Sequence, residues 1–267
     1  MRSRKQFDAA RNTMARVKNP LKILYLDIET TPHKGTFWNL FPKYIPLNQM
    51  QEPTYMMCWA AKWEGERDVI FRKKSDPDHI GRLWELLDEA DTVIHYNGKS
   101  FDIKHINREF AAEGLAPPSP YSQVDLLTAV RASFRMASNK LDYVVRYFGL
   151  GKKVVHVGIE LWYDCMDGCP KAWKLMEKYN RRDVVLLPKL YKFMQPWIKS
   201  HPNAALAAGD PTRPTCSTCG STHVQSRGNY HTKTGIYERF QCMGCSTWLR
   251  RRKAKSSTND NVLIRAN

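Results

Sequence analysis

Acidic side chains occur in three short segments whose residue types could support metal chemistry. Asp27 and Glu29 lie in KILYLDIETT, which has a strand pattern, Asp102 ends HYNGKSFD, and Asp183 follows KYNRR. Because residues two apart on a strand share a face, Asp27 and Glu29 should point together, into a buried place. Clustered carboxylates repel each other and protonate unless a divalent cation such as Mg²⁺ lies between them. A pair of such ions can stabilise the attacking and leaving oxygens of a phosphoryl transfer.

Spacing alone does not make these acids one site. Taken singly, such an acid is more often a helix cap or a solvated surface residue. Elsewhere in the chain, Asp125 in QVDLL has two interpretations, a helix N-cap or an acid that supports the site. The N-cap is the favoured interpretation.

Four of the seven cysteines form two CxxC pairs in the C-terminal part of the chain. Zn²⁺ takes four thiolates in tetrahedral geometry, and a two-residue spacer lets one loop supply two of them. We expect Gly220 and Gly244 to supply the turns of these loops. The spacing predicts a zinc ribbon with one structural zinc ion, since about 40 residues lack a core of their own. The ligands would be Cys216, Cys219, Cys242 and Cys245.

The elements that position the acids follow from the hydrophobic pattern. Three strands, then alternating helices and strands, predict an α/β domain with a mixed sheet. Asp76 and Pro77 should open one helix, with an Asp as its N-cap, and Pro188 should kink or end the last helix. Strands are expected over 22–31, 55–63, 68–73 and 92–96, and further helices over 101–113, 122–135, 140–148 and 171–187.

The net charge of +16 comes from the two ends of the chain. Residues 1–22 carry seven Lys/Arg against one acid, and residues 200–267 carry ten against three. Basic ends favour a polyanionic partner such as nucleic acid, because neutralised phosphates release counterions. Solubility alone is the alternative explanation. No apolar run approaches the roughly 20 residues of a membrane span, so no membrane partner is expected.

The segments YLDIETTP, NGKSFD and YNRRD resemble the three motifs of the DEDD superfamily of 3'-5' exonucleases, which has a ribonuclease H-like fold. Where the histidine-type members have a His, this chain has Lys178, whereas Tyr179 stands at the position of the tyrosine-type residue. The chain also resembles stand-alone exonucleases of tailed bacteriophages. One departure is Tyr96, which separates His95 from Asn97 where many members have His-Asn directly.

The resemblance implies a ribonuclease H-like mixed five-stranded sheet flanked by helices. It implies that two Mg²⁺ or Mn²⁺ ions are held by the four acids, while Tyr179 orients the attacking water. It places Asn97 and Phe101 in the substrate cleft. Phe37, Trp38 and Phe41 could stack on the terminal bases, or equally form a hydrophobic lid or core. The implied metal ligands are Asp27, Glu29, Asp102 and Asp183.

The expected activity is 3'-5' hydrolysis of single-stranded DNA in phage replication, repair or processing, in the host cytoplasm and with a polymerase or replication partner. An RNA exonuclease, a structure-selective endonuclease and a non-catalytic nucleic-acid-binding replication factor are the alternatives. The basic and aromatic ribbon favours nucleic acid, with protein docking as the competing role. The expected layout is a basic arm or helix (1–21), the exonuclease domain (22–199), a linker (200–214), the ribbon (215–254) and a disordered tail (255–267).

Overall fold

The computed structural model describes residues 21–38, 43–208 and 212–257. These residues fall into two compact units, Lys22–Tyr191 and the described residues from Lys192 onward. The N-terminal arm predicted for 1–21, apart from Leu21, and most of the tail predicted for 255–267 lie outside the described residues. Within the described residues, no helix has the length and the apolar character needed to cross a membrane.

The first unit is built on a mixed five-stranded sheet, which confirms the predicted α/β fold. In spatial order its strands are β5, β4, β1, β6 and β7. Strand β4 pairs antiparallel with both β1 and β5, whereas β6 pairs parallel with both β1 and β7. The bounds are β1 Ile23–Thr30, β4 Met56–Trp63, β5 Ile70–Lys73, β6 Thr92–His95 and β7 Ser122–Asp125. Two short strands, β2 Lys34–Gly35 and β3 Met50–Glu52, form a separate pair.

Among the described residues of the first unit, six helices follow or separate these strands. The longest, α6, carries Asp183 and ends three residues after Tyr191, the last residue of the first unit. The bounds are α1 His79–Glu89, α2 Asp102–Ala112, α3 Leu126–Ser133, α4 Leu141–Tyr147, α5 Glu160–Met166 and α6 Pro170–Met194. Short 3-10 helices cover Leu47–Gln49 and Gln195–Trp197.

Strand β1 separates a hydrophobic core from the candidate site. Leu24, Leu26 and Ile28 point to one side and pack in the core with buried residues of α1 and α2. Tyr25 points to the other side, where its ring meets that of Tyr191 on α6 at 6.1 Å between centroids. Because side chains alternate along a strand, Asp27 and Glu29 share the side of Tyr25 and face α6.

Two local predictions were wrong, as was one alternative of a third. Residues 122–135 do not form one helix: β7 occupies 122–125, and α3 starts only after Asp125. The side chain of Asp76 accepts a hydrogen bond from Lys73 N, and Asp78, in the left-handed region, precedes α1 without a side-chain cap. Helix α6 continues through Pro188, so the alternative that this proline ends the helix was wrong. Packing of the buried side of α6 outweighs the hydrogen bond that the proline removes.

The second unit contains a small antiparallel sheet. Strand β9 pairs with β8 on one edge and with β10 and β11 on the other. The bounds are β8 Val224–His231, β9 Gly235–Cys242, β10 Trp248–Arg250 and β11 Ser256–Ser257. A short helix, α7 Ala204–Ala208, lies within the segment predicted to be a linker.

Candidate active site

Three of the four predicted acids meet where β1 faces α6. One carboxylate oxygen from each of Asp27, Glu29 and Asp183 lies within 4.8 Å of the others. The amide of Asn180 donates a hydrogen bond to Asp27 Oδ2 at 2.7 Å, which ties α6 to β1 next to the cluster. Strand β1 and helix α6 therefore bring together residues that lie more than 150 positions apart in the chain.

Asp102 stands at the start of α2, beside the three-acid cluster but outside it. Its Oδ1 accepts a hydrogen bond from Ile28 N at 3.2 Å, so it is anchored to β1 between the two strand acids. Burial raises the pKa of Asp102 to about 7, although this backbone hydrogen bond acts in the opposite direction. The structure thus places Asp102 next to the cluster, as a fourth carboxylate that is supplied by α2 and hydrogen-bonded to β1.

A lysine that the sequence analysis did not single out enters the site. Lys153 Nζ lies 2.5 Å from Asp183 Oδ2 and donates a hydrogen bond to the Tyr179 hydroxyl at 2.7 Å. Tyr179 also interacts electrostatically with Asp183, which lies one turn further along α6. Burial raises the pKa of Tyr179 above its ordinary value, and the nearby Glu29 adds to the effect. The phenol is therefore protonated at neutral pH and can act only as a hydrogen-bonding group.

The positive charge of Lys153 does not balance the negative charges of the clustered carboxylates. Burial, followed by the charge of Asp183, raises the pKa of Glu29 to about 8. The same two causes raise the pKa of Asp27, and burial raises that of Asp183 although Lys153 opposes it. Carboxylates in this arrangement share a cation or hold protons at neutral pH.

The donor set fits a hard divalent cation. Among the described residues, the buried Asp183 Oδ1 has no hydrogen-bond partner. It belongs to a group of carboxylate oxygens that converge on one place. Mg²⁺ and Mn²⁺ prefer such oxygen ligands, and a divalent charge would remove the repulsion that raises these pKa values.

A cleft of about 280 Å³ lies beside Tyr179. Cationic and apolar side chains line it together with Asp142, which pairs with Arg146 at 2.7 Å. Such a mixed lining suits a phosphate with an attached sugar or base. On α4, whose Asp142 and Arg146 line the cleft, the exposed rings of Tyr143 and Tyr147 stack at 6.2 Å between centroids. The lining includes Arg146, Lys153, Val155, His156 and Tyr179.

The predicted substrate residues lie in different settings. Asn97 adopts a left-handed backbone with φ of 72°, and its N–H donates to Asp125 Oδ1 at 3.0 Å. Phe101 is exposed and packs against His105 just before Asp102. Phe37 and Trp38 are exposed, so they do not belong to the core, and Phe41 lies outside the described residues.

Asp125 caps a helix and also supports the loop next to the candidate site. Its side chain caps α3 by accepting from Leu127 N and Thr128 N. It also accepts hydrogen bonds from the backbone N–H groups of Asn97 and Lys99. Asp125 therefore fixes the loop that leads from β6 to Asp102.

The four predicted zinc ligands converge in the second unit. Their sulfur atoms all lie within 4.8 Å of one another, and two Sγ–Sγ pairs are 3.6 Å apart. A zinc–sulfur bond of about 2.3 Å in a tetrahedron gives about 3.8 Å between sulfurs, so the cluster has the size of a Zn²⁺ site. The pairs are Cys216 with Cys245 and Cys219 with Cys242.

The glycine prediction for the two cysteine loops was half right. Gly220 follows the first CxxC with φ of 73°, whereas Ser246, not Gly244, takes the equivalent left-handed position with φ of 66°. Each loop also closes a backbone hydrogen bond onto its first cysteine, at Cys216 O and Cys242 O.

The sequence model of the RNase H superfamily matches residues 24–195, which include all four acids and Tyr179. The chain belongs to the RNase H superfamily. RNase H-like nucleases use divalent metals, and this family with its acidic cluster supports a nuclease acting on nucleic acid. The ribonuclease H-like part of the resemblance is thereby confirmed.

Comparison with solved structures matches the family B DNA polymerase from the hyperthermophilic archaeon Pyrobaculum calidifontis. The two are 20% identical with a TM-score of 0.49, and the match covers 72% of this chain and 27% of the polymerase chain. This chain therefore spans about a quarter of that polymerase. A search of curated proteins finds no significant match.

Proposed function

We propose that the chain is a metal-dependent 3'-5' exonuclease of the tyrosine type that hydrolyses single-stranded DNA, in phage replication, repair or processing. The observation that carries the proposal is the convergence of Asp27, Glu29 and Asp183, with Tyr179 beside them. Asp102, which accepts a hydrogen bond from Ile28 N of β1, is the fourth acid of the proposed set.

In this proposal the four acids would hold two Mg²⁺ or Mn²⁺ ions, which would supply the charge that lowers the pKa of the attacking water. The protein's own groups position the substrate. The Tyr179 hydroxyl orients the water, and Lys153 Nζ, already donating to that hydroxyl, stabilises negative charge on the phosphate. Binding of metal and substrate would then replace the Lys153–Asp183 ion pair.

The cleft next to Tyr179 supports a place for the terminal nucleotide. Arg146 and Lys153 supply positive charge at its wall, while Val155 supplies an apolar surface for a sugar or base. The exposed rings of Tyr143 and Tyr147 lie where preceding bases could stack. The same groups accept DNA or RNA, so the choice of sugar needs a direct measurement.

The test is a time course with single-stranded DNA, duplex DNA and RNA, each labelled at either end, with Mg²⁺ or Mn²⁺. A 3'-5' exonuclease gives a descending ladder from a 5'-labelled strand and releases mononucleotide at once from a 3'-labelled strand. An endonuclease gives internal fragments from both labels. If RNA is cleaved faster than DNA, the proposed substrate changes from DNA to RNA.

Matched variants connect any activity to this site. The Asp27→Ala, Asp183→Ala double variant should lose turnover by orders of magnitude because each acid is a metal ligand in the proposal. Glu177→Gln, an acid change on α6 in a residue that pairs with Arg181, should keep full activity. Turnover that survives in the double variant would contradict the assigned site, and a wild-type protein inactive on every substrate would support the binding-factor alternative.

A further inference from the structure

One side of the sheet in the second unit collects aromatic and cationic side chains. The register pairs Tyr230 with Tyr237, Trp248 with Gln241, and Arg250 with Arg239. Directly paired residues share a side, and so do alternate residues of β9. We call this side the arginine–aromatic face. Its members are Tyr230, Tyr237, Arg239, Gln241, Trp248 and Arg250.

The opposite side of the same sheet has a structural role. Cys242, Val224 and Leu249 lie there and pack in the small cluster around the predicted zinc ligands. The register also places Phe240 on this side, across from Leu249. Because the apolar and metal-binding groups occupy one side, the arginine–aromatic face is the side left for solvent or a ligand.

The charges on the arginine–aromatic face are unbalanced. Arg239 and Arg250 are directly opposite each other on paired strands, an arrangement that repels. Within residues 212–257 the sequence has nine Lys/Arg and one acid, Glu238. Glu238 is on the other side of the sheet and pairs with Arg251 at 2.9 Å. An anion bound between the two arginines would therefore relieve their repulsion.

Both arginines lie over aromatic rings. The Arg250 guanidinium lies 4.0 Å from the centroid of Tyr237, and that of Arg239 lies 5.2 Å from the Trp248 ring. Arg239 donates from Nε and Nη2 to Arg227 O, and Arg250 donates from Nη1 to Arg251 O. A guanidinium has five N–H donors, so Arg239 Nη1 and the Nε and Nη2 of Arg250 are the donors left for a phosphate. Trp248 and Tyr230 are 55% and 46% exposed, which leaves ring surface for a further stacking partner.

We propose that the arginine–aromatic face binds single-stranded nucleic acid, with bases on Trp248 and Tyr230 and phosphates on Arg239 and Arg250. Exposed rings need bases whose faces are open, and a duplex hides those faces in its own stack. The site would be sequence-tolerant, because each base has a flat face and each nucleotide has a phosphate. It is separate from the catalytic proposal, since it concerns binding rather than cleavage.

The test measures binding of the full chain to a labelled single strand and to a duplex of equal length, at several salt concentrations and without Mg²⁺ or Mn²⁺. Trp248→Ala should weaken single-strand binding about tenfold, within the range expected for one stacked base. Arg250→Gln should weaken it and lower the slope of log affinity against log salt by about 0.7. Lys233→Gln removes the same charge from the turn between β8 and β9, off the face, and should change neither quantity.

Zinc content and circular dichroism show whether each variant is folded. If Trp248→Ala loses its zinc, the test uses Trp248→Phe and Tyr230→Ala instead. Trp248→Phe should keep the affinity for single strands, and Tyr230→Ala should reduce it. If Arg250→Gln and Lys233→Gln lose affinity equally and the ring variants lose none, binding depends on diffuse charge and the proposed face is wrong. Variants that bind single strands like the wild type would overturn it outright, as would equal losses on duplex and single strand.

Discussion

Replacing Glu29 with Gln should stabilise the metal-free protein and at the same time weaken its response to metal. In the folded chain the pKa of Glu29 is raised from 4.5 to about 8 by burial and by Asp183. Between those pH values the folded state holds a proton that the unfolded chain has released. The free energy of unfolding therefore falls as pH rises from about 5 to 8, and the full cost is present above pH 8.

The magnitude follows from the pKa. A rise from 4.5 to about 8 would correspond to roughly 5 kcal/mol at most. We expect about 2 kcal/mol for the isolated change, because neighbouring acids and Lys153 adjust their protonation together. For a unit of this size, that energy raises Tm by about 4 to 8 °C at pH 9, and by little at pH 5.

The assay is thermal unfolding of wild type, Glu29→Gln and Glu177→Gln in metal-depleted buffer at pH 5 and pH 9, then with Mg²⁺ or Ca²⁺ added. Added cation should raise the Tm of the wild type more at pH 9, where the acids are ionised, and should raise that of Glu29→Gln less. The Glu177→Gln control should follow the wild type. A Glu29→Gln variant less stable than wild type at pH 9 without metal would refute the reasoning.

Three further predictions concern single groups. Tyr179→Phe should lower kcat by roughly 10²- to 10³-fold while leaving metal affinity unchanged, because it removes one positioning hydroxyl; a loss of metal binding, measured by calorimetry, would contradict that role. Lys153→Met should raise the affinity for Mg²⁺, since it removes the cation that pairs with Asp183, yet reduce turnover; unchanged values of both would show that the ion pair has no functional part. Changing Cys216 and Cys242 to Ser should remove one zinc per chain, seen by elemental analysis, while cleavage of a short oligonucleotide persists; a metal content near zero or two in the wild type would be incompatible with the predicted site.

The sequence alone determined the features that depend on local geometry. A strand places Asp27 and Glu29 on one side wherever it packs, and a helix places Tyr179 one turn before Asp183. The CxxC spacing likewise sets two thiolates on one loop before any tertiary contact forms. These short-range rules predicted the shared side of Asp27 and Glu29, the cysteine cluster and the α/β class of the first unit. The choice of the four acids and Tyr179 as one site came from the resemblance of their segments to the DEDD motifs.

Only the tertiary structure decided which distant groups join them. Asn180 reaches Asp27 across 153 positions, and Lys153 reaches Asp183 from a loop with no metal or catalytic motif of its own. Residues 122–125 form an edge strand because β6 offers them a partner, although their own pattern fits a helix. Likewise, the register of β9 with β10 turns scattered arginines and aromatic residues into one face. Contacts of this kind depend on how elements pack, which the spacing of residues along the chain does not encode.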